Sequence, residues 1–145
     1  MAYTVSVSVI FDLPAEEVFD ALCRLDDYLL WNSDLVRVSK GGRITENMLI
    51  ETEANVLGQR VISKLEVVSV MPPISIEMVN NSGAISHRTM YRFLPMGPSK
   101  TEVVCMLQFT FNSFVLNLAR PLIEALAEGR IRANLETLRA LLAAR

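Results

Sequence analysis

The chain has 145 residues, 51% of them apolar, and 14 Lys and Arg against 16 Asp and Glu give a formal net charge of −2. That length suits one ordinary domain, and it buries roughly 70% of its unfolded surface without a disulfide or metal staple. Charges of both signs are interspersed along the chain, which leaves no basic footprint for nucleic acid or for an anionic membrane.

The first strand is expected over Tyr3 to Phe11. Tyr3, Val5, Val7 and Val9 share one face and Thr4, Ser6 and Ser8 the other, the alternation of a sheet with one dry side. Asp12-Leu13-Pro14 stops it. Pro14 suits a helix first turn, Glu16 and Glu17 complement the helix N-terminus, and Val18, Ala21, Leu22 and Leu25 form a helical stripe to about Arg24. A second short helix is expected from Asp26, as N-cap, to Trp31.

Strands then follow from Leu35 to Asn112. Leu35 to Ser39 ends at Gly41-Gly42, Met48 to Val56 is punctuated by Gly58, and Gln59 to Met71 ends at Pro72-Pro73. Ile74 to Val79 directs Ile74, Ile76 and Met78 inward and runs into the turn cluster Asn80-Asn81-Ser82-Gly83. Ser86 to Leu94 sets Arg88 and Arg92 against His87, Thr89, Tyr91 and Phe93. After Pro95-Met96-Gly97-Pro98, Thr101 to Phe111 places Val103, Cys105, Leu107, Phe109 and Phe111 on one side.

From about Asn112 to Arg145 the pattern is helical. Leu118, Leu122 and Leu126 continue into Ile131, Leu135, Leu138 and Leu142 near one face. Pro121 predicts a kink or a fresh start, and Gly129 a bend or the close approach of a strand. A final helix of roughly 25–30 residues would span roughly 40 Å, enough to cross a small domain.

Short turns between successive strands argue an antiparallel meander, and the long helix is the element large enough to cover its apolar face. The fold class is therefore α+β: a curved antiparallel sheet of about seven strands around a long C-terminal helix, with two short helices after strand 1. Small inward residues (Thr52, Ala54, Ser63, Cys105) and flexible ones (Met48, Met71, Met78, Met90, Met106) suit an incompletely filled interior, although methionine is equally an ordinary core filler. A mean hydropathy of +0.32 fits a large core, a lined cavity or a partner interface.

Several residues carry a family resemblance. Leu13-Pro14-Ala15-Glu16-Glu17-Val18-Phe19-Asp20-Ala21-Leu22 follows the opening strand, and Asp26, Asp27, Tyr28 and Trp31-Asn32 come next. Val68-Ser69-Val70-Met71-Pro72-Pro73 closes a strand, Ser99-Lys100-Thr101-Glu102-Val103 opens the last one, and Arg130 to Leu142 forms the terminal helix. In these segments and their order, over nearly its whole length, the chain resembles the START-like, or SRPBCC, helix-grip superfamily, the polyketide cyclase/dehydrase and lipid-transport group. The resemblance implies a single helix-grip domain over 1–145 with an apolar cavity between sheet and helix. It does not choose among lipid carriers, hormone receptors, aromatase/cyclases, quinone-binding proteins and chaperone activators. Ser33 follows Asn32 where many relatives carry proline, so the segment after Trp31 is expected to run differently.

The leading expectation is binding of a small hydrophobic ligand: a lipid, an isoprenoid or an aromatic polyketide. Its lining would draw on Trp31, Met48, Thr52, Ser63, Leu65, Ile76, Met78, His87, Thr89, Tyr91, Leu118 and Leu122, with Gln108 a further polar candidate. The alternatives are a cyclase/dehydrase-type enzyme, in which His87 or Tyr91 protonates or orients an enolate, and an interaction module that spends its apolar excess on a homodimer or client surface. Arg88 or Arg92 would enter the pocket only if their strand were bulged.

No nucleophile–base pair or phosphate loop is visible, and no metal or cofactor is expected. With His87 the single histidine, Cys23 and Cys105 read as buried free thiols of a reducing compartment rather than as zinc ligands. The start of the sequence shows no basic leader. The uncharged stretch Val103 to Ala119 is interrupted by Gln108, Thr110, Asn112, Ser113 and Asn117. A cytoplasmic protein without a membrane span is expected.

Overall fold

The structure is a computed structural model and describes residues 3–56, 58–81 and 85–145. Seven strands form one antiparallel sheet in the order β1-β7-β6-β5-β4-β3-β2. They are β1 (Tyr3–Phe11), β2 (Leu35–Val38), β3 (Leu49–Val56), β4 (Gln59–Met71), β5 (Ser75–Asn80), β6 (Ile85–Pro95) and β7 (Thr101–Phe111). The helices are α1 (Ala15–Cys23), α2 (Tyr28–Trp31), α3 (Phe114–Leu118) and α4 (Arg120–Ala143), with a 3-10 turn at Leu25–Asp27. β2 to β7 follow one another as neighbours, and β1 pairs with β7 from Tyr3↔Phe109 to Phe11↔Thr101. The sheet curls into a half-barrel with α4 as its long C-terminal helix, which is the helix-grip arrangement.

Alternation sets the inner face. In β1, Val5, Val7, Val9 and Phe11 are buried while Thr4, Ser6, Ser8 and Ile10 are exposed. Val103, Cys105, Phe109 and Phe111 of β7, Tyr91 and Phe93 of β6, and Ile76 and Met78 of β5 extend the same buried surface. At the β3–β4 turn Gly58 takes φ +77, a backbone region that costs glycine nothing. Ser82 and Gly83 of the expected β5–β6 turn lie outside the described residues. β6 keeps one register against both neighbours, so Arg88 and Arg92 stay on the exposed side, and Arg88 pairs with Glu77 at 2.7 Å.

Helix α1 docks through Phe19, whose ring meets Phe93 edge-on at 5.1 Å. Asp26 does not cap a helix. Its Oδ2 accepts the Gly42 N–H at 3.0 Å, and its carboxylate fills the space where a side chain at Gly41 would stand. Along the free edge of β1, Arg132 and Arg139 donate to the carbonyls of Ser8 and Ile10, each at 3.3 Å, covering part of that edge.

The face of α4 differs from expectation. Ile123, Leu135 and Leu138 are buried, and Ala127 and Ile131 pack beside them, whereas Leu118 and Leu122 are 68% and 55% exposed and Leu126 is also exposed. The cause is helical phase: the five-residue step from Leu126 to Ile131 within one continuous helix puts Leu122 and Leu126 off the face of Ile131, Leu135 and Leu138. The packed stripe runs one residue, or about 100° around the axis, away from the leucine series. α3 ends at Leu118, Ala119 leaves helical geometry, and α4 restarts at Arg120 with Pro121 in its first turn. Each fully buried aliphatic side chain on this stripe contributes about 1.5–3 kcal/mol. Gly129 admits no close approach of a strand; it is exposed, with open space about it.

Candidate functional site

A hollow of about 160 Å³ remains between the inner face of β6–β7, the end of α2 and the C-terminal half of α4. Trp31 closes one side and, as the last residue of α2, is 2% exposed; its ring stands edge-on to Tyr28 at 4.9 Å. Asn32 and Asp34 follow it along the rim. Thr89 and Tyr91 come from β6 and their register partners Leu107 and Cys105 from β7, so the period of the strand aims all four the same way. Ile131, Asn134 and Leu135, three successive positions of the packed stripe on α4, complete the lining.

The deep walls are uncharged. Burial raises the Cys105 thiol to about 12, although the Tyr91 hydroxyl beside it pulls the other way, and burial also pushes the Tyr91 phenol well up. Cys23 and Cys105 are both buried free thiols. The rim is polar. Asn134 Oδ1 accepts from the Ser33 N–H at 3.1 Å and from Ser33 Oγ at 3.2 Å, while its Nδ2 donates to Asn32 Oδ1 at 3.1 Å and to Asp34 Oδ2 at 3.3 Å. Arg130 Nε stands 3.4 Å from the other oxygen of Asp34. The serine after Asn32 explains this local geometry, because a proline there has no N–H to give Asn134.

Of the residues expected at the site, Trp31, Thr89 and Tyr91 line the hollow. Met48, Thr52, Ser63, Leu65, Ile76, Met78, His87, Leu118 and Leu122 lie outside its lining. Thr52, Ser63, Ile76 and Met78 are buried in the inner face of β3 to β5, Leu118 is exposed at the end of α3, and Leu122 points away for the reason given above. No methionine lines the hollow; Met71 and Met106 are exposed. Ile74, expected inward, precedes β5 and is 57% exposed. Gln108 is exposed, on the face opposite Leu107.

Sequence reasoning passed over Asn32, Asp34 and Asn134. The signal was one asparagine among Ile131, Leu135 and Leu138, a polar group at a position the helical period assigns to the interior.

His87 shares the inner face with Thr89 and Tyr91 but lies one strand step further along, beside Asn80 and Phe109. It is half-buried, its Nδ1 has no hydrogen-bond partner among the described residues, and burial lowers its pKa from 6.5. The ring is therefore neutral at pH 7. The unfolded chain takes up the proton first on acidification, so stability is full above pH 6.5 and falls as pH drops toward the folded pKa. His87→Gln should flatten this dependence. Urea midpoints of both proteins at about pH 7.5 and about pH 5 check it, and parallel losses in the two would rule it out.

Among the described residues no group of three or more His, Cys, Asp or Glu side chains could hold a metal ion, and no helix is long and apolar enough to cross a membrane.

Comparison with known proteins agrees with this architecture. A structure from Thermus thermophilus superposes with a TM-score of 0.84 at 19% identity, covering 98% of this chain and 99% of that one. A START superfamily protein from Mycobacterium smegmatis gives 0.81 at 16% identity, with 97% of each chain covered. The ZhuI aromatase/cyclase from Streptomyces sp. R1128 gives 0.80 at 15% identity, covering 97% of this chain and 93% of that one. At such identities the likeness shows the fold. No curated protein matches the chain. Residues 2–143 match the family described as polyketide cyclase / dehydrase and lipid transport, and the chain belongs to that family.

Proposed function

We propose that this protein binds a small, largely apolar molecule in the hollow between β6–β7 and α4. The observation that carries the reading is a space of about 160 Å³ between sheet and helix bounded by Trp31, Cys105 and Leu135, each 2% exposed or less. Protein interiors pack to the density of organic crystals, so a void of this size is a departure from the rule, and an apolar cavity of about 150 Å³ accepts benzene. Whole lipids and folded polyketides are drug-sized or larger, and pockets for such ligands run to about 300–1,000 Å³. The guest is thus small, or only one end of a larger molecule enters.

Native mass spectrometry of gently purified protein, with uptake of small apolar dyes, tests the reading. Leu135→Phe adds a ring at the cavity wall, at an overpacking cost of about 1–3 kcal/mol. It should abolish uptake while the circular dichroism spectrum is kept. Undiminished uptake in a folded Leu135→Phe protein would place the guest elsewhere.

A further inference from the structure

We infer that the guest is a single-ring molecule whose polar head is a hydrogen-bond donor, a hydroxyl or an ammonium, and not a carboxylate. This rests on the reading of the hollow as a ligand site and adds the guest's size and the sign of its head group. The inference comes from how polarity is distributed along the cavity.

Its deep end is walled by Trp31, Cys105 and Leu135, none more than 2% exposed, with the uncharged Tyr91 phenol beside them. A body that is apolar apart from an acceptor for Trp31 Nε1, which has no partner among the described residues, fits there without stranding a polar group, and about 160 Å³ accommodates one six-membered ring. The other end carries Asp34, whose side chain is 27% exposed and is the single carboxylate among the lining residues. A head group reaching the rim therefore meets a carboxylate with accepting lone pairs.

The other polar groups there do not reverse this. Both donors of Asn134 are spent on Asn32 and Asp34, and its acceptor is occupied by Ser33. Arg130, the cation nearest Asp34, is itself 59% exposed and does not line the hollow. It offsets part of the Asp34 charge from outside the lining, and the carboxylate on the lining keeps accepting lone pairs at the rim. An anionic head would be repelled there, and a donor head would be received.

Three compounds of one shape separate these properties: benzyl alcohol, benzylamine (protonated at neutral pH) and benzoate, titrated calorimetrically into the full chain. Benzyl alcohol and benzylamine should bind, with benzoate weaker than benzylamine by about tenfold or more at low salt. Asp34→Asn, which keeps an acceptor oxygen and removes the charge, should shrink that ratio toward one. Benzoate binding as tightly as benzylamine to the unaltered chain would overturn the head-group assignment. Binding of 2-naphthylmethanol or palmitate by a chain that takes none of the three would overturn the size assignment yet leave the hydrophobic site standing. Binding of none of the five would sink both.

Discussion

Trp31→Ala should destabilise the fold by about 3–5 kcal/mol, the range for truncating a buried large aromatic. Trp31 is 2% exposed, supports Tyr28 edge-on at 4.9 Å, and joins the end of α2 to the cavity. An edge-on aromatic pair adds about 0.5–1.5 kcal/mol beyond burial. The loss propagates, because Tyr28 also ties α2 to α1 through its hydroxyl on the Leu22 carbonyl at 2.8 Å. The change has a second consequence. The indole volume adds to a hollow already present, so the variant should accept two-ring compounds that the unaltered chain excludes. Trp31→Phe should keep much of the packing and move both readouts less. Urea unfolding and calorimetric titration with naphthalene-sized ligands measure the two effects. A fall in stability with no gain of larger ligands would show that Trp31 supports the fold without bounding the site.

Where periodicity was strict, the fold was readable from residues alone. Thr101–Phe111 and Gln59–Met71 fall where alternation and the bordering prolines put them, and Pro121 marks the restart of the helix. Helical phase was not readable. The step from Leu126 to Ile131 is five residues and changes face within one helix, so the series Leu118-Leu122-Leu126 reads as a continuation of the core stripe and is exposed. The candidate site was legible only in part for a related reason. Thr89 and Tyr91 follow from strand alternation, which fixes a face without neighbours. Which part of that face stays uncovered depends on where α4 crosses it. Ser63 and Thr52 face the same interior and are filled over, while Thr89 borders the hollow. The rim was the least visible part, because Asn32, Asp34 and Asn134 meet across a sequence separation of about a hundred residues, which no local pattern encodes.

That rim gives the second large effect. Asn134 is 7% exposed and makes four hydrogen bonds that fix its own orientation. The Ser33 N–H can only donate, so Oδ1 must face it, and the Asp34 carboxylate can only accept, so Nδ2 must face that side. Asn134→Leu removes all four bonds. The stranded partners reach water only in part, which places the cost at about 2–4 kcal/mol. Asn134→Asp is nearly isosteric and should be the more informative change. It keeps the acceptor toward Ser33 but sets a second carboxylate against Asp34, where the amide donated at 3.3 Å. Two carboxylates at that separation cannot both ionise cheaply, so in the folded variant the pair must hold a proton that the unfolded chain releases above about pH 4. Asn134→Asp should therefore be less stable than Asn134→Leu at pH 7 and recover on acidification toward pH about 4, while Asn134→Leu shows no such recovery. Urea midpoints across that range decide it. If the two variants have the same pH profile, the contact of α4 with the segment after Trp31 does not depend on this charge arrangement, and the rim is held by packing alone.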